Sequence, residues 1–371
     1  MKIWSTIKKD IYSLYVHIPF CEHICFYCDF AKVIKPKNDE SINAYLDKVD
    51  NELSTYNNKF NSLKTIYIGG GTPSCLSNDQ TTKLLEIINK HVDIKNIIEY
   101  SIELNPESVT LEKLKIYKNY GINRLSIGVQ TFDNNLLQKI GRQHNNKKAL
   151  EAIELARKAE FNNISIDLMY NLFNQTIDNI DVDLDYIKKI KPEHISWYSL
   201  IMKENSIWGK LKYNKPENDE LFDEYVNKGL VKLGYKRYEI SNYSKKEIYN
   251  SVHNLSYWKS DLFVGVGYGA SGFEKIKDKY YLTQNVGNVS KYEKTFEIVE
   301  ENDLYFQIIM MGLRMIKGID ISDGLNKQAY LHFKNQINKN IELGLLDLKD
   351  NYLFCTSRGF DVLNEILLTF L

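Results

Sequence analysis

The sequence predicts an α/β protein that contains a partial (β/α)6 barrel followed by a smaller helical unit. Up to about residue 240, short β-rich runs alternate with runs of helical periodicity, as expected for βα units around a parallel sheet. Six such units are too few for an eight-stranded barrel, so the barrel is expected to be partial. From about Asn302 the pattern becomes helical, with one hairpin-like pair of strands.

The barrel elements follow from these runs. Strands are predicted at residues 11–17, 65–68, 97–104, 124–128, 164–170 and 194–200, and helices at residues 42–56, 81–91, 111–120, 147–158 and 177–190. Residues 203–218 are polar and are interpreted as an insertion or linker, and a helix is predicted at 217–233. Further on, helices are predicted at 304–315, 327–338 and 359–371, with a hairpin at 345–347 and 352–355.

Three regions are predicted from these patterns. Residues 1–245 would form the barrel, and residues 246–300 would form a connecting region with the segment HNLSYW and a glycine-rich run at 263–273. Residues 301–371 would form a small winged-helix-like unit, because helices surround a two-stranded wing.

Composition excludes several classes of protein. The 371 residues include 48 basic and 48 acidic side chains, so neither nucleic-acid binding nor a charged membrane surface is indicated. No apolar run reaches transmembrane length, and no signal peptide is recognised at the N-terminus. A cytoplasmic protein is therefore expected, although a peripheral membrane contact is compatible with this composition. Cys75 and Cys355 are interpreted as small buried hydrophobic residues.

Three of the five cysteines lie within eight residues, at Cys21, Cys25 and Cys28. Thiolates at this spacing can face one metal centre, and three ligands suit a [4Fe-4S] cluster with one iron open to another ligand. A structural zinc site is the alternative, with His17 or His23 as the fourth ligand. A disulfide does not fit, because nothing indicates a secreted protein.

Further polar residues fall where the predicted strands end. The run Gly69-Gly70-Gly71-Thr72-Pro73 follows the second strand, Glu103 ends the third, Gln130 follows the fourth and Asp167 lies toward the end of the fifth. Arg142 is the exception, in a turn before a helix. Active sites of parallel barrels lie at the carboxyl ends of the strands, so this distribution predicts a single site.

The motif C-x3-C-x2-C with Tyr27 before the last cysteine resembles the radical SAM superfamily. The longer string YVHIPFC…CFYCDF resembles the branch that holds oxygen-independent coproporphyrinogen III dehydrogenase and the HemW-type haem chaperones, and this resemblance covers nearly the whole chain. It implies a radical SAM barrel, a [4Fe-4S] cluster and S-adenosylmethionine (SAM), which the reduced cluster cleaves to a deoxyadenosyl radical.

The resemblance also assigns residues one at a time. It implies that SAM is contacted by Tyr15, Gly70, Thr72, Glu103, Gln130, Arg142 and Asp167; an ordinary polar loop residue is the alternative for each. The segment DLMYNLFNQT departs from the family's DLIYGLPGQT, with Asn171, Phe173 and Asn174 in place of Gly, Pro and Gly, which puts the shape of that loop in question.

His253 opens the segment HNLSYW, which resembles the haem-binding motif of HemW-type proteins. The resemblance implies that His253 is a haem ligand, whereas from the residues alone a packing histidine is favoured. The glycine-rich run departs from the family, with Ser271 where a histidine is usual.

Two details favour the chaperones over the dehydrogenase. Phe30 stands where the dehydrogenase has a fourth cysteine, and only 20 residues precede Cys21. The resemblance therefore implies a protein that binds haem and delivers it to acceptor proteins such as respiratory haemoproteins. Oxidative decarboxylation of coproporphyrinogen III is the alternative, and an electron-transfer protein that carries a cluster is a weaker one. The oligomeric state is left open.

Overall fold

One long sheet organises the structure. In the computed structural model, which describes residues 10–214, 216–322 and 324–371, twelve strands form this sheet. The elements of the first half are β1 (Ser13–Ile18), β2 (Phe20–Cys21), β3 (Val33–Ile34), α1 (Asp39–Ser54), β4 (Thr65–Gly70), α2 (Asn78–His91), β5 (Glu99–Leu104), α3 (Leu111–Asn119), β6 (Arg124–Gln130), α4 (Asn134–Lys139), α5 (Asn146–Lys158), β7 (Ile164–Tyr170), α6 (Ile177–Ile190) and β8 (His194–Ser199).

Six neighbouring strands of this sheet are parallel and follow one another in chain order. They are β1, β4, β5, β6, β7 and β8, and they confirm the six predicted strands and the partial radical SAM-type barrel. Their side chains are almost continuously buried, as expected for a parallel sheet that is covered on both faces.

The helices between these strands begin where the sequence supplies a capping side chain. Ser77 and Gln80 form a reciprocal capping box at the start of α2, and Asn145 accepts a hydrogen bond from the backbone N–H of Lys148 at the start of α5. The predicted helices are confirmed, with α6 at its predicted bounds. The short helix α4 was not predicted.

The middle of the chain extends the sheet at both edges. The strand β11 adds parallel to β1 and continues into an antiparallel meander, whereas β10 and β9 add at the far edge, beside β8. The predicted boundaries at 245 and 300 stay a prediction. The elements here are α7 (Ile207–Lys210), α8 (Asp219–Lys232), β9 (Lys236–Arg237), β10 (Asn242–Ser244), α9 (Val252–Trp258), β11 (Phe263–Val266), β12 (Ser271–Ile276), β13 (Lys279–Asn288) and β14 (Lys291–Val299).

The C-terminal unit has a core of its own, which includes Ile309, Phe333 and Leu353. Its three strands lie in the order β15, β17, β16, so the predicted hairpin is confirmed with one added strand. The helices predicted at 327–338 and 359–371 are each divided in two. The elements are α10 (Glu301–Gly312), β15 (Ile319–Asp320), α11 (Gly324–His332), α12 (Lys334–Glu342), β16 (Leu346–Lys349), β17 (Tyr352–Cys355), α13 (Ser357–Asp361) and α14 (Leu363–Leu368).

Candidate functional site

A cavity of about 250 Å³ inside the barrel is lined mainly by residues toward the carboxyl ends of the parallel strands, and it extends to His194 and Asn254 at their amino ends. It collects the three clustered cysteines and most of the polar residues predicted from the sequence. Its walls include Cys21, Cys25, Cys28, Gly70, Thr72, Glu103, Gln130, Arg142 and Asp167. Tyr15 and His253 are the predicted site residues that do not line it.

The three cysteine thiols are free and share this cavity. The Thr72 hydroxyl donates a hydrogen bond to Cys21 Sγ at 3.4 Å, and Arg142 Nη1 donates to Cys25 Sγ at 3.6 Å. Burial raises the pKa of the Cys21 thiol to about 11, and it also raises the pKa of Cys28. These two thiols therefore stay protonated until a metal binds and displaces the protons, because a bound metal requires thiolates.

Three free thiols around one cavity fit a [4Fe-4S] cluster, and His23, one candidate fourth ligand of a zinc ion, lines the same cavity. Within the described residues, no three His, Cys, Asp or Glu side chains are gathered closely enough to hold one metal ion. A cubane cluster spreads its thiolates over different irons, so three thiols around a shared cavity fit it. His17, one candidate fourth zinc ligand, has both ring nitrogens bonded, to Tyr15 Oη at 3.0 Å and to the Ala31 carbonyl at 2.7 Å.

Arg142 connects the cysteine loop to the strand ends. Its Nη2 donates to Asn105 Oδ1 at 2.9 Å and to the Gly128 carbonyl, while Nη1 reaches Cys25. Its Nε is buried without a hydrogen-bond partner in the structure. A buried donor without a partner is costly, and the carboxylate of a bound amino acid would satisfy it bidentately.

Two carboxyl groups also line the cavity. Glu103 accepts hydrogen bonds from Tyr67 Oη at 2.9 Å and the backbone N–H of Gly70 at 3.1 Å, and Asp167 accepts from Ser126 Oγ at 2.9 Å. Burial raises the pKa of Glu103 to about 7 and that of Asp167 to about 6, and the nearby Asp167 charge adds to the rise at Glu103. A cationic ligand would relieve both effects.

The glycine run packs tightly between the cysteine loop and the strands. Gly70 has φ +118°, and a Cβ there would lie 2.6 Å from the His17 ring. At Gly71 a Cβ would lie 2.8 Å from the carbonyl carbon of Pro19. The glycines therefore let the end of β4 approach His17 of β1 and the Pro19 backbone that leads into the cysteine loop. This close packing explains the glycines independently of any contact with a ligand.

Gln130 has an unusual backbone at the end of β6. Its φ is +70°, and the strand register shifts between Gly128 and Gln130. The next turn is held by Asp183 of α6, which accepts hydrogen bonds from the backbone N–H of Phe132 and the hydroxyl of Thr131. The bulge places Gln130 in the cavity, where its Oε1 accepts a hydrogen bond from Tyr198 Oη at 3.1 Å. Backbone strain of this kind is concentrated at functional sites.

Tyr15 lies behind the site rather than in its wall. Its hydroxyl is hydrogen-bonded to His17, whose other ring nitrogen bonds to the carbonyl of Ala31, just after the cysteines. This geometry suits a residue that positions the cysteine loop. A direct contact between Tyr15 and SAM stays a prediction.

The loop at residues 171–174 adopts a backbone that glycine would also favour at two positions. Asn171 and Asn174 have φ of +61° and +57°, and these are the two positions where the family has glycine. Asparagine tolerates this left-handed conformation better than most residues. Phe173 packs edge-on against Trp208, at 4.7 Å between ring centroids, so an aromatic contact replaces the proline.

The segment predicted as a linker covers the cysteine loop. Its short helix α7 places Trp208 on that loop, where the backbone N–H of Trp208 donates a hydrogen bond to the carbonyl of Phe26 at 3.1 Å. Trp208 is buried although the surrounding sequence is polar. A single tryptophan in a polar segment could have predicted that this segment packs against the rest of the protein.

His253 lies at the other end of the barrel, at the amino ends of the strands. It is 1% exposed, and it stacks on Tyr67 at 5.0 Å between ring centroids. Its Nδ1 lies 2.8 Å from Thr65 Oγ1, and its Nε2 lies 2.7 Å from Tyr257 Oη. Both ring nitrogens are thus paired, and haem ligation by His253 stays a prediction that requires one of these bonds to break. The other departure, Ser271, is exposed at the start of β12.

Several cavity residues were not identified from the sequence. They include Tyr67, Asn105, Ser126 and Tyr198. Asn105 directly follows β5, which ends at Leu104, so its position at a strand end could have revealed it. Tyr67, Ser126 and Tyr198 lie inside strands, where an inward-facing polar residue is recognised only once the barrel is formed.

Two family profiles match the chain. The profile described as Radical SAM superfamily matches residues 15–187, and the profile described as HemN C-terminal domain matches residues 299–362. Among solved structures, coproporphyrinogen III oxidase (HemN) from Escherichia coli superposes with a TM-score of 0.79 at 20% identity, covering 98% of this chain and 91% of that one. The fold and the site thus define a radical SAM protein with a HemN-type C-terminal domain.

Full-length relatives narrow the family. The heme chaperone HemW of Lactococcus lactis is 34% identical over 377 residues, which cover 97% of each chain. The heme chaperone HemW of Escherichia coli is 30% identical, over 98% of this chain and 99% of the relative. The chain belongs to the HemW family. Its radical SAM domain implies a [4Fe-4S] cluster and SAM.

Proposed function

We propose that this protein is a haem chaperone that carries a [4Fe-4S] cluster and SAM, binds haem and passes it to acceptor haemoproteins. Similarity along almost the whole chain to proteins named heme chaperone HemW is the observation that carries the proposal. The cytoplasm is its proposed location, since a reducing compartment keeps all five cysteines as thiols, the state they have in the structure.

The cavity residues fall into two groups, one that would bind the cluster and one that would bind SAM. Cys21, Cys25 and Cys28 would hold three irons of the cluster, and Arg142, with its unpaired Nε, would bind the carboxylate of SAM. Glu103 and Asp167 would bind its cationic and hydroxyl groups, together with Gln130, Gly70 and Thr72. When the cluster is bound and reduced it supplies an electron for cleavage of SAM, and the protein contributes binding, orientation and shielding from water.

The proposed chaperone function is tested by measuring haem transfer from this protein to an acceptor. The chain is reconstituted with iron and sulfide without oxygen, loaded with one equivalent of haem, and mixed with an apo-haemoprotein such as an apo-cytochrome. We expect the absorption spectrum of the acceptor's holo-form to appear. Failure to bind haem, or haem that stays on the protein with every acceptor offered, would contradict the proposal.

The same preparation tests the alternative enzyme. Coproporphyrinogen III and SAM are added with a reductant, and the products are separated by chromatography. We expect no protoporphyrinogen above a control without protein. The exposed Phe30 supports this expectation, because the dehydrogenase has a fourth cysteine at that position. Formation of protoporphyrinogen would overturn it.

Membrane contact is a separate question. Among the described residues, no helix combines the length and the apolar character that are needed to cross a membrane.

A further inference from the structure

A second and larger cavity lies away from the cysteine site. It is a groove of about 640 Å³ between α9, the strands β9 and β10, and the C-terminal unit. It shares no lining residue with the cavity that contains the cysteines. Ligand sites are common at junctions between structural units, and this volume is typical of pockets that hold a large organic molecule.

The groove explains why the segment HNLSYW has two kinds of residue. His253 and Ser256 of α9 are buried against the barrel, whereas Leu255 and Trp258 are half-buried and line the groove. Val252, three residues before Leu255, lines it too. Residues three apart share a helix face, so one face of α9 closes the base of the barrel and the other forms a wall of the groove.

The opposite wall is apolar. Ile308, Met315 and Ile319 of the C-terminal unit face the groove, with Tyr352 from β17. With Trp258 and Leu255 on the near side, the groove presents two facing apolar surfaces. A flat apolar ligand would bury both of its faces between them.

The rim of the groove carries an excess of positive charge. Arg237 is held in a bidentate pair by Asp223, outside the groove, and the acidic lining residues are Glu247, Asp261 and Asp320. Against these three stand five lysines. They are Lys236, Lys245, Lys246, Lys259 and Lys317. The ligand chemistry that fits is therefore an apolar plate with acidic groups at its edge, and haem has this chemistry.

We propose that haem binds in this groove and not in the barrel, with its macrocycle between Trp258 and the C-terminal unit and its carboxylates at the lysine rim. This inference rests on the proposed function and names its binding site. In this arrangement His253 does not contact haem, since its ring nitrogens are bonded inside the barrel to Thr65 and Tyr257, while Trp258 lines the groove.

The test compares groove variants with a His253 variant in the reconstituted full-length chain. Haem is titrated, and binding is followed by the Soret band and by tryptophan fluorescence. The groove variants are Trp258→Ala, with Trp258→Phe as its conservative partner, and the double charge reversal Lys246→Glu/Lys317→Glu at two exposed rim positions. The matched control reverses Lys115 and Lys339, which are exposed and line neither cavity. His253→Gln removes the imidazole but keeps groups that can hydrogen-bond.

We expect the rim reversal to weaken haem binding about fivefold or more, with a larger effect at low salt, because two attractions become repulsions. Trp258→Ala should weaken it about tenfold and Trp258→Phe much less. His253→Gln and the control reversal should bind with wild-type affinity and an unchanged Soret maximum.

The outcomes separate the site from the function. If wild-type protein binds and transfers haem while the groove variants bind it equally well, the groove is not the site and the chaperone function stands. Loss of haem in His253→Gln alone would likewise overturn the groove and make His253 the ligand. If the wild-type protein binds no haem, both proposals fail together.

Discussion

The two ends of the barrel contain the same kinds of polar side chain but differ in how those groups are paired. At the carboxyl ends of the strands, Arg142 keeps a buried Nε without a partner, and Glu103 and Asp167 have raised pKa values. At the amino ends, His253 and the hydroxyl groups of Thr65 and Tyr257 are paired with one another, although Ser260 Oγ nearby has no partner. An unpaired buried guanidinium beside carboxyl groups of raised pKa suits a ligand site, whereas the hydrogen-bond network around His253 stabilises the fold.

The pairing at the amino ends forms a closed ring. Ser256 donates to the carbonyl of His253 at 2.7 Å, and Thr65 donates to Ser13, which lies 2.6 Å from Ser256. Each hydroxyl has one proton, so Ser13 donates to Ser256 and Thr65 accepts from His253 Nδ1–H. The His253 Nε2 then accepts from Tyr257. This assigns the tautomer of His253 from its neighbours.

Among these predictions, the largest effect is expected when a cysteine at the carboxyl ends of the strands is replaced, because the cluster should then be lost. Cys21→Ala, Cys25→Ala or Cys28→Ala is expected to abolish the cluster absorbance after reconstitution, because two thiolates do not hold it. Iron and sulfide analysis and the visible spectrum measure this. Cys75→Ala is the control, since Cys75 is buried outside the cavity, and it should retain the cluster. A variant of Cys28 with full iron content would contradict the assignment.

At the amino ends of the strands, we expect substitutions to lower the free energy of unfolding. His253→Ala breaks the ring and leaves a cavity, and we expect a loss of about 2–4 kcal/mol in the free energy of unfolding, measured in urea. Cys25→Ala in the chain without cluster should lose much less. If His253→Ala unfolds at the wild-type midpoint, the ring does not stabilise the fold.

The two ends should also differ in their dependence on pH. Burial lowers the pKa of His253 to about 3, so between that value and 6.5 the unfolded chain binds a proton that the folded chain does not. Its contribution to stability is therefore complete above pH 6.5 and is lost as the pH falls toward 3. His253→Gln should flatten the acid limb of the stability profile in urea titrations, and an unchanged slope would contradict the burial of a neutral imidazole.

Glu103 should show the opposite sign. With a pKa of about 7, it binds a proton in the folded chain over a range in which the unfolded chain has lost it, so its contribution falls as the pH rises from 4.5 to 7. Ionisation favours a cationic ligand, so affinity for SAM should rise across pH 7. Glu103→Gln should weaken SAM binding about tenfold and remove that pH dependence, as measured by equilibrium dialysis. Glu112→Gln, at an exposed site, is the control.

The smallest effect is expected in the loop at residues 171–174. Asn174→Ala should cost about 1 kcal/mol because alanine disfavours a positive φ, whereas Asn174→Gly, which adopts it freely, should be more stable than Asn174→Ala. Urea unfolding measures both. Equal stability of the two variants would mean that the left-handed backbone is not maintained in solution.

The sequence by itself determined the barrel and the location of its site. The alternation of periods predicted the six strands, since a buried parallel strand is a short apolar run whatever surrounds it. The positions at or near the ends of those strands predicted Cys21, Glu103, Gln130 and Asp167, because the carboxyl ends of parallel strands meet at one edge. Arg142, in a turn before a helix, was assigned only by the family resemblance. Most of the residues at this edge can therefore be identified from their positions relative to the predicted strands.

Only the tertiary structure decided what each polar residue does. His253 and Arg142 are both polar residues within short sequence motifs, yet both ring nitrogens of His253 are paired whereas Arg142 Nε is buried without a partner. Pairing depends on partners far apart in the chain, such as Thr65 for His253, and periodicity carries no information about them. The same holds for Trp208 on the cysteine loop and for Trp258 beside the C-terminal unit, whose partners come together only when the sheet has formed.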